Sequence, residues 1–281
     1  MSAGAGSGGP LVSVGIPTFN RPQGVRRTLE AITRQTYPNL EIIVSDNASP
    51  EHGTEDVVAE FRERDARIRL HRQVHNIGAG ANFQFVLSKA SGRYFMWAAD
   101  DDDWESCFIE RCIAGFDRPG VVSVMSQFRT HYRRSDRLVS QRLPELDPER
   151  SRVYNLLAFL RMPTPTLVYG LHLLECLRFC TREQSWFDFY DCYFALRLLS
   201  VGKIRLVPEL LHTAGVDGDE YLVKRASAGR WLRLSYGPFF RACHGAIAVS
   251  DLSRGEKAVV AGALALTTAR LFFYHEIRNR G

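Results

Sequence analysis

The stretch YFMWAADDDDW, residues 94–104, places four consecutive aspartates directly after a run of apolar residues. Neighbouring carboxylates repel one another, and each raises the pKa of the next unless a cation or hydrogen-bond donors offset the negative field. An acidic run is most often a solvated surface segment. This run instead follows an apolar strand, and the strand ends of open α/β sheets are where ligands bind. The sequence therefore indicates a site for a cation at the aspartates.

Apolar strands and helical segments alternate along the first part of the chain. The pattern predicts strands at residues 11–17, 40–46, 67–72 and 93–99, separated by helices at about residues 23–35, 54–64 and 79–90. This alternation predicts an α/β fold with a mostly parallel sheet and helices on both faces. The loops PTFNRP, SDNAS and DDDD then end three strands at one edge of the sheet, where a nucleotide would sit.

Composition is that of an ordinary globular protein. The chain has 281 residues, 45% of them hydrophobic, and a formal charge of +5. The basic residues are spread out, so they do not form a nucleic-acid-binding stripe. The six cysteines form no CxxC pair or zinc spacing, which predicts reduced thiols and a cytoplasmic protein. Residues 1–10 have no signal-peptide features and are expected to be a flexible leader.

The pattern changes beyond about residue 120. Residues 120–134 predict a strand that continues into a β-ribbon, residues 142–151 a polar connection, and the remainder mostly helix. The segment FDFYDCYFALRLLSVGKIRLVP predicts a helix that ends at Gly202 and is followed by a strand. Asp191 lies near the start of that helix, where it either favours the helix dipole or takes part in chemistry.

Several common catalytic motifs are missing from the sequence. There is no Walker loop, no GxSxG elbow and no HExxH helix, and the glycine-rich leader follows no strand. The eight histidines do not cluster. A dehydrogenase, a serine hydrolase and a zinc enzyme therefore lose their main support.

Five segments in order resemble the family 2 glycosyltransferases, inverting enzymes with a GT-A type nucleotide-sugar-binding fold. They are VSVGIPTFNRP, IIVSDNAS, NIGAGANF, GRYFMWAADDDDW and YDCYFALRLLSVGKI, and the resemblance runs from about residue 11 to residue 208. It implies a GT-A domain at 11–215, with a nucleotide-binding half at 11–104, an acceptor half at 105–215, and a helical C-terminal extension at 216–281.

The resemblance implies that the cation expected at the aspartates is Mg²⁺ or Mn²⁺. An Asp-x-Asp-type motif would hold it against the diphosphate of a nucleotide sugar. It places Asp101 as the direct metal ligand, Asp102 as an alternative ligand, and Asp100 as a contact to the ribose or an indirect contact to the metal. The chain departs from the family pattern at Ala99, where an aspartate is usual. Asp103 is expected to cap a helix at residues 104–115.

The resemblance also assigns the general base. The family carries a Glu-Asp pair at the catalytic helix, which here reads Tyr190 and Asp191, so the second carboxylate is retained and the first is lost. Asp188, three residues earlier, is the alternative. Attack on the side of the sugar opposite the departing phosphate would invert the anomeric configuration.

Residues that bind the nucleotide sugar are assigned to the first loops by the same resemblance. They are Pro17, Thr18, Phe19, Asn20, Asp46, Gly78 and Asn82. Phe19 either stacks near the base or packs beneath it, and Asn82 is either a contact or an ordinary helix residue. An acceptor-only carboxylate at Asp46 suits the ring N–H of uracil or thymine, which predicts a UDP- or dTDP-sugar donor.

The resemblance weakens after residue 208. Relatives often continue with a basic-x-His element, but here Asp217 stands near that place and His212 comes earlier. The apolar segment at residues 258–274 is too short and too interrupted to span a bilayer. Three interpretations remain for it, namely a core helix, a homodimer contact and an interfacial anchor at the inner face of a membrane.

The predicted function is transfer of a sugar to a saccharide, lipid-linked or other hydroxyl acceptor in bacterial surface polysaccharide or glycoconjugate biosynthesis. A catalytically inactive nucleotide-sugar-binding protein is one alternative, which the losses at Ala99 and Tyr190 favour. A sugar-1-phosphate nucleotidyltransferase is another, although GIPTFNRP lacks the glycine-rich basic loop expected there.

Overall fold

A computed structural model describes residues 9–50, 53–182, 189–216 and 229–278 of the chain. The first half alternates strands and helices: β1 (Val12–Thr18), α1 (Pro22–Thr33), β2 (Leu40–Asp46), α2 (Gly53–Arg64), β3 (Ile68–Arg72), α3 (Ala79–Lys89) and β4 (Tyr94–Trp97). Each element lies within a few residues of its predicted position. The α/β fold predicted from the sequence is confirmed in this half.

The second half is more mixed. It consists of β5 (Asp103–Trp104), α4 (Phe108–Ala114), β6 (Val121–Tyr132), β7 (Arg137–Ser140), α5 (Arg152–Arg161), β8 (Leu171–Leu173), α6 (Leu174–Thr181), α7 (Tyr190–Val201) and β9 (Lys203–Val216). Two 3-10 helices, Arg133–Ser135 and Pro165–Tyr169, and the helices α8 (Gly229–Val249) and α9 (Arg254–Arg278) complete the described chain.

One sheet runs through both halves in the strand order β3-β2-β1-β4-β8-β6-β9-β5, with β7 paired to β6. Strands β1 to β4 pair with one another in parallel, and so do β6 and β9. The pairs of β8 with β4 and β6, of β5 with β9, and of β6 with β7 are antiparallel. Because β1 lies between β2 and β4, the chain order reverses there, which opens a crevice at the carboxyl ends of these strands.

Burial explains why the central strands form. Every residue of β1 and β2 is buried, as expected for parallel strands covered on both faces. The aromatic side chains of β4 extend this core toward the second half, since Trp97 packs edge-on against Phe95 at 5.1 Å and against Phe194 of α7 at 5.6 Å between ring centroids. These contacts fix α7 next to the strand that precedes the aspartates.

The predicted helix at residues 104–115 is wrong at its start. Asp103 and Trp104 form β5, whose partners in β9 are Thr213 and His212, and the helix begins only at Phe108. Asp103 therefore caps no helix. Its carboxylate instead accepts a hydrogen bond from the backbone N–H of Trp104 at 2.9 Å.

The C-terminal helices α8 and α9 pack against each other and onto α7 and α5. Thr267 of α9 donates a hydrogen bond to the carbonyl of Leu160 at 2.7 Å, and Arg270 donates to the carbonyl of Arg161 at 2.6 Å. Among the described residues, none of the helices combines the length and the apolar character that crossing a membrane would need.

Candidate functional site

The three loops predicted to meet do lie at one edge of the sheet. In the parallel register Thr18 of β1 stands opposite Asp46 of β2, and β4 runs beside β1 toward Asp100. The hydroxyl of Thr18 donates a hydrogen bond to Oδ2 of Asp100 at 2.7 Å, so the first and third loops are in direct contact. The crevice between them is the candidate site.

Asp100 is almost fully buried, with 7% of its surface exposed. Besides Thr18, Nη1 of Arg21 donates to its Oδ1 at 2.8 Å. Burial raises the pKa of Asp100 above its ordinary value, and the positive charge of Arg21 opposes that shift. The carboxylate is thus committed to contacts within the protein.

Of Asp100, Asp101 and Asp102, Asp101 has the most exposed side chain. Its side chain is 29% exposed, against 10% for Asp100 and 4% for Asp102. Its Oδ2 accepts a hydrogen bond from Nη1 of Arg21 at 3.1 Å. Burial and, second, the charge of Asp102 raise the pKa of Asp101 to about 6. Asp101 therefore presents a carboxylate oxygen to the crevice that still lacks full compensation.

Asp102 has both oxygens occupied. Nε2 of His212 donates to its Oδ2 at 2.9 Å, and the backbone N–H of Gly215 donates to its Oδ1 at 3.0 Å. The His212 ring is stacked on Trp104 at 5.3 Å and is itself fully buried. This arrangement favours a structural role for Asp102, tying the aspartate loop to β9, over the role of alternative metal ligand.

Two glycines let the backbone of the aspartate loop pass through a narrow space. A Cβ atom on Gly24, in the first turn of α1, would lie 2.2 Å from the carbonyl oxygen of Asp100. A Cβ on Gly215, at the end of β9, would lie 1.8 Å from the carbonyl oxygen of Asp101. The same Asp101 carbonyl accepts a hydrogen bond from Nη2 of Arg133. The loop is therefore clamped from both halves of the sheet.

The residues assigned to the nucleotide fall into exposed and buried groups. Phe19 is 41% exposed. Asn20 has a positive φ of 53°, and its N–H donates to the Ser49 hydroxyl at 2.7 Å. Pro17 lies buried in β1. Gly78 precedes α3 with a φ of 85°, a conformation that glycine adopts without strain.

Asn82 and Asp46 are both buried beneath that surface. The amide of Asn82 accepts a hydrogen bond from the Ser45 hydroxyl at 2.6 Å and donates to the Ser45 carbonyl at 3.0 Å, so it joins α3 to β2. Asp46 is fully buried, and its Oδ1 accepts hydrogen bonds from Ser49. Its Oδ2 lies 3.3 Å from Nη1 of Arg72 but accepts no hydrogen bond from the described residues.

Asp191 lies in the first turn of α7, the helix that Phe194 holds against Trp97 of β4. Burial alone raises its pKa to about 6. Asp188 and Asp217, the other two acidic residues weighed from the sequence, lie outside the described residues.

Tyr169 lies near both α7 and the end of β9. It ends the 3-10 helix that packs against α7, and its ring lies 6.0 Å from the His212 ring. Burial raises the pKa of its hydroxyl, and the charges of Asp102, Asp191, Asp101 and Asp100 raise it further. The charges of all four carboxylates thus act on one phenol, which indicates that Asp191 lies in the neighbourhood of the aspartate loop.

The oxygen atoms of the site fit a hard divalent cation that takes some of its ligands from the protein and the others from a substrate. Within the described residues, no group of three His, Cys, Asp or Glu side chains could hold a metal by itself. Mg²⁺ is commonly bound by one or two carboxylates together with substrate phosphates, and Asp101 offers one such carboxylate. Mn²⁺ accepts the same oxygen ligands.

Sequence reasoning did not identify Arg21, Arg133 or Tyr169. Arg21 directly follows the PTFN loop, so its position near the site could have been inferred from the strand end alone. Arg133 and Tyr169 belong to 3-10 helices whose packing depends on the whole second half, and no local motif marks either residue.

Comparisons with known proteins were made on sequence and on structure. The profile of Glycosyl transferase family 2 matches residues 13–173, which is more than half of the chain. A Bacillus subtilis (strain 168) protein, described as a putative teichuronic acid biosynthesis glycosyltransferase TuaG, is 31% identical over 102 residues, or 36% of this chain and 40% of that protein. The matched part is thus less than half of that relative.

Two solved structures share the fold. S. aureus TarS 1-349 in complex with UDP-GlcNAc has a TM-score of 0.73 at 14% identity, over 91% of this chain and 72% of that chain. Mannosyltransferase PcManGT from Pyrobaculum calidifontis, in complex with GDP-Man and Mn²⁺, has a TM-score of 0.61 at 18% identity, over 96% and 87% of the two chains. The predicted fold class is therefore confirmed over nearly the whole chain.

The clamp on the aspartate loop leads to a prediction at Gly215. Gly215→Ala should displace the Asp101 carbonyl and lower the free energy of unfolding by about 1–3 kcal/mol, as overpacking does, because the added methyl has no room. Urea unfolding followed by circular dichroism measures this. Gly262→Ala on α9 is the matched control, since no atom lies within 4 Å of its added methyl. Equal stability of the two variants would contradict the clamp.

Proposed function

Because the chain belongs to Glycosyl transferase family 2, we propose that it moves a sugar from a nucleoside diphosphate to a hydroxyl acceptor. The observation that carries this proposal is the placement of carboxylates on both sides of one crevice. Asp101 is available on the sheet side and Asp191 on the α7 side, and the charges of both act on Tyr169. Asp101 can help to hold a diphosphate, and Asp191 can take a proton from an acceptor hydroxyl.

Asp101 is the proposed metal ligand, and Asp100 the proposed contact to the ribose or indirect contact to the metal. When bound, Mg²⁺ or Mn²⁺ would stabilise the negative charge that develops on the departing phosphate oxygen. Asp102, with both oxygens occupied by His212 and Gly215, holds the loop in place. Asp101 can therefore keep its orientation while the charge beside it changes.

Asp191 is the proposed general base. An acceptor hydroxyl has a pKa far above neutral, so it needs a positioned carboxylate to accept its proton as it attacks the sugar. The raised pKa of Asp191 strengthens it as a base while leaving it ionised at neutral pH. Because the diphosphate is held on the sheet side, attack from the α7 side would invert the anomeric configuration.

The donor is proposed to be a UDP- or dTDP-sugar. Pro17, Thr18, Phe19 and Asn20 would form one wall of its pocket, Gly78 would let the backbone approach it, and Asn82 would support that wall from below. Oδ2 of Asp46 lacks a hydrogen bond from the described residues, which suits a ring N–H. Since Asp46 is fully buried, a base can reach this oxygen only if a covering side chain moves. Among neighbours, TarS was solved with UDP-GlcNAc and PcManGT with GDP-Man.

The acceptor is proposed to be a saccharide, a lipid-linked sugar or another hydroxyl compound in bacterial surface polysaccharide or glycoconjugate biosynthesis. The Bacillus relative, described for teichuronic acid biosynthesis, supports this setting. Residues 105–215 would form the acceptor half. The helical extension from residue 216 onward would serve in core packing, in a homodimer or in contact with the cytoplasmic face of a membrane.

A catalytically inactive nucleotide-sugar-binding protein is the second candidate. Ala99 and Tyr190 stand where acidic residues are usual, and this observation favours it. The retention of Asp101 and Asp191 favours the enzyme.

The first test is a donor screen. Purified protein with Mn²⁺ or Mg²⁺ is offered UDP-, dTDP- and GDP-sugars, while thermal shift and release of the nucleoside diphosphate are measured. UDP or dTDP should bind at least about tenfold more tightly than GDP in calorimetric titration. The ring N–H of guanine lies farther from its ribose than that of uracil or thymine, so with the ribose in the same place it leaves the buried acceptor of Asp46 unsatisfied. Tighter binding of GDP would overturn the pyrimidine assignment.

A second prediction distinguishes the aspartates. Asp101→Asn should weaken Mn²⁺-dependent binding of UDP by at least about 100-fold, because even outer ligands of a metal contribute 10- to 100-fold. Asp103→Asn is the matched control, since Asp103 is exposed and its carboxylate accepts a hydrogen bond from the backbone N–H of the next residue, Trp104. Isothermal titration with and without Mn²⁺ measures both. Similar losses in the two variants would disprove the assignment of Asp101.

A third prediction concerns Asp191. Asp191→Asn should lower kcat for sugar transfer, or for donor hydrolysis, by about 10²- to 10⁴-fold and leave UDP affinity nearly unchanged, since a general base contributes that much. In the wild type, kcat/KM should fall tenfold per pH unit below about pH 6, where Asp191 becomes protonated.

The variant should not unfold more easily than the wild type. Ionisation of buried Asp191 costs stability as the pH rises from its ordinary pKa near 4 through about 6, and asparagine avoids this cost. Asp188→Asn is the control for activity. If that variant is inactive while Asp191→Asn keeps the wild-type rate, Asp188 is the base; if the wild type binds donor but transfers to no acceptor and to no water, the inactive binding protein is correct.

A further inference from the structure

Arg21 stands where the sheet edge, the first helix and the aspartate loop meet. It is the last residue before α1, whose first residue is Pro22. One nitrogen of its guanidinium, Nη1, donates to Oδ1 of Asp100 at 2.8 Å and to Oδ2 of Asp101 at 3.1 Å. A single cationic nitrogen therefore bridges the two carboxylates assigned to the donor and its metal.

The charge balance of the loop depends on this bridge. Asp102 is compensated separately, by His212 and by the backbone N–H of Gly215. Asp100 and Asp101 share Arg21, and each of their pKa values is raised by burial and lowered by its charge. Without a cation at this place, two neighbouring carboxylates of one loop would repel each other with no positive charge between them.

A metal ion and this guanidinium cannot both occupy the same side of Asp101. Two positive charges a few ångströms apart in a partly buried site repel strongly, so a divalent ion on Asp101 weakens the Arg21 contact even when it takes the other carboxylate oxygen. The side chain of Arg21 is 36% exposed, so a ligand that enters the crevice can reach it. A guanidinium released beside a diphosphate matches its oxygens in charge and in planar geometry.

We propose that Arg21 is an exchangeable counter-ion: it holds Asp100 and Asp101 until the donor arrives, then yields Asp101 to the metal and pairs with the diphosphate. The proposal rests on the proposed function, since it needs a nucleotide donor that enters with a divalent metal. It adds a defined order to binding. The metal alone binds weakly because it competes with Arg21 for Asp101. When the nucleotide binds, Arg21 pairs with the diphosphate and no longer competes with the metal.

The test measures metal and nucleotide binding separately, without relying on turnover. Mn²⁺ alone is titrated into wild type and Arg21→Gln, with free Mn²⁺ followed by electron paramagnetic resonance, and UDP is then titrated at saturating Mn²⁺ by calorimetry. Arg21→Gln should bind Mn²⁺ alone about fivefold or more tightly than wild type, within the usual range of coupling between sites. The same variant should bind UDP about tenfold more weakly, because the diphosphate loses a charged partner.

Two further variants isolate the cause. Arg26→Gln is the matched control, since Arg26 lies on the helix that Arg21 precedes, its ion pair is with Glu60 at 2.6 Å, and its loss changes the net charge equally. It should leave both affinities unchanged. Arg21→Lys keeps a cation near the carboxylates, so its affinity for Mn²⁺ alone should stay close to that of wild type, and this variant also serves if Arg21→Gln does not fold.

The outcomes separate this inference from the proposed function. If wild type binds Mn²⁺ together with UDP or GDP, but Arg21→Gln binds Mn²⁺ alone no more tightly than wild type, the counter-ion proposal is overturned and the proposed function stands. If Arg26→Gln shows the same gain as Arg21→Gln, the effect is general electrostatics and the proposal is again overturned. If wild type binds no Mn²⁺ with either nucleotide, both are wrong.

Discussion

Three consecutive carboxylates at the end of a buried strand have to be held in fixed positions, and the rest of the site depends on how this is done. The backbone of Asp100 and Asp101 passes between Gly24 of α1 and Gly215 of β9, at positions where any Cβ would overlap a carbonyl oxygen. Steric confinement fixes the backbone, and Asp102 fixes it further through its buried contact with His212. Of the two side chains that Arg21 contacts, Asp100 is then almost fully buried, and Asp101 is the more exposed.

The same constraint joins the two halves of the sheet. The parallel strands β1 to β4 can form from local βαβ units, but they provide only one wall of the clamp. The other wall is the end of β9, which reaches the loop because it pairs with β6 over most of its length and with β5 at its end. Trp97 and Phe194 bring α7 to the same place from β4. Holding the aspartates and positioning Asp191 are therefore two results of one packing arrangement.

Local patterns in the sequence predicted the strands and helices of the first half. They failed where the structure depends on pairing between strands that are far apart in the sequence. Buried strands and amphipathic helices have clear periods, so β1 to β4 and the loops at their ends were predicted within a few residues. Trp104 was assigned to a helix, but its backbone pairs with β9, more than one hundred residues later, and such pairing leaves no local signal. The roles of Arg21 and Tyr169 could not be predicted for a similar reason, since an ion pair or an electrostatic neighbour across the crevice depends on the folded arrangement.

Asp101 and Asp191 share a pKa of about 6, but the causes differ. For Asp101, burial acts together with the charges of its neighbours, and Arg21 opposes both. Any cation that binds there will favour the ionised form and remove the shift. For Asp191 burial is the resolved cause, so a metal held on the opposite side of the crevice leaves most of its proton affinity in place. Two carboxylates with the same pKa in the free protein are thus suited to different tasks, one to hold a cation and the other to accept a proton.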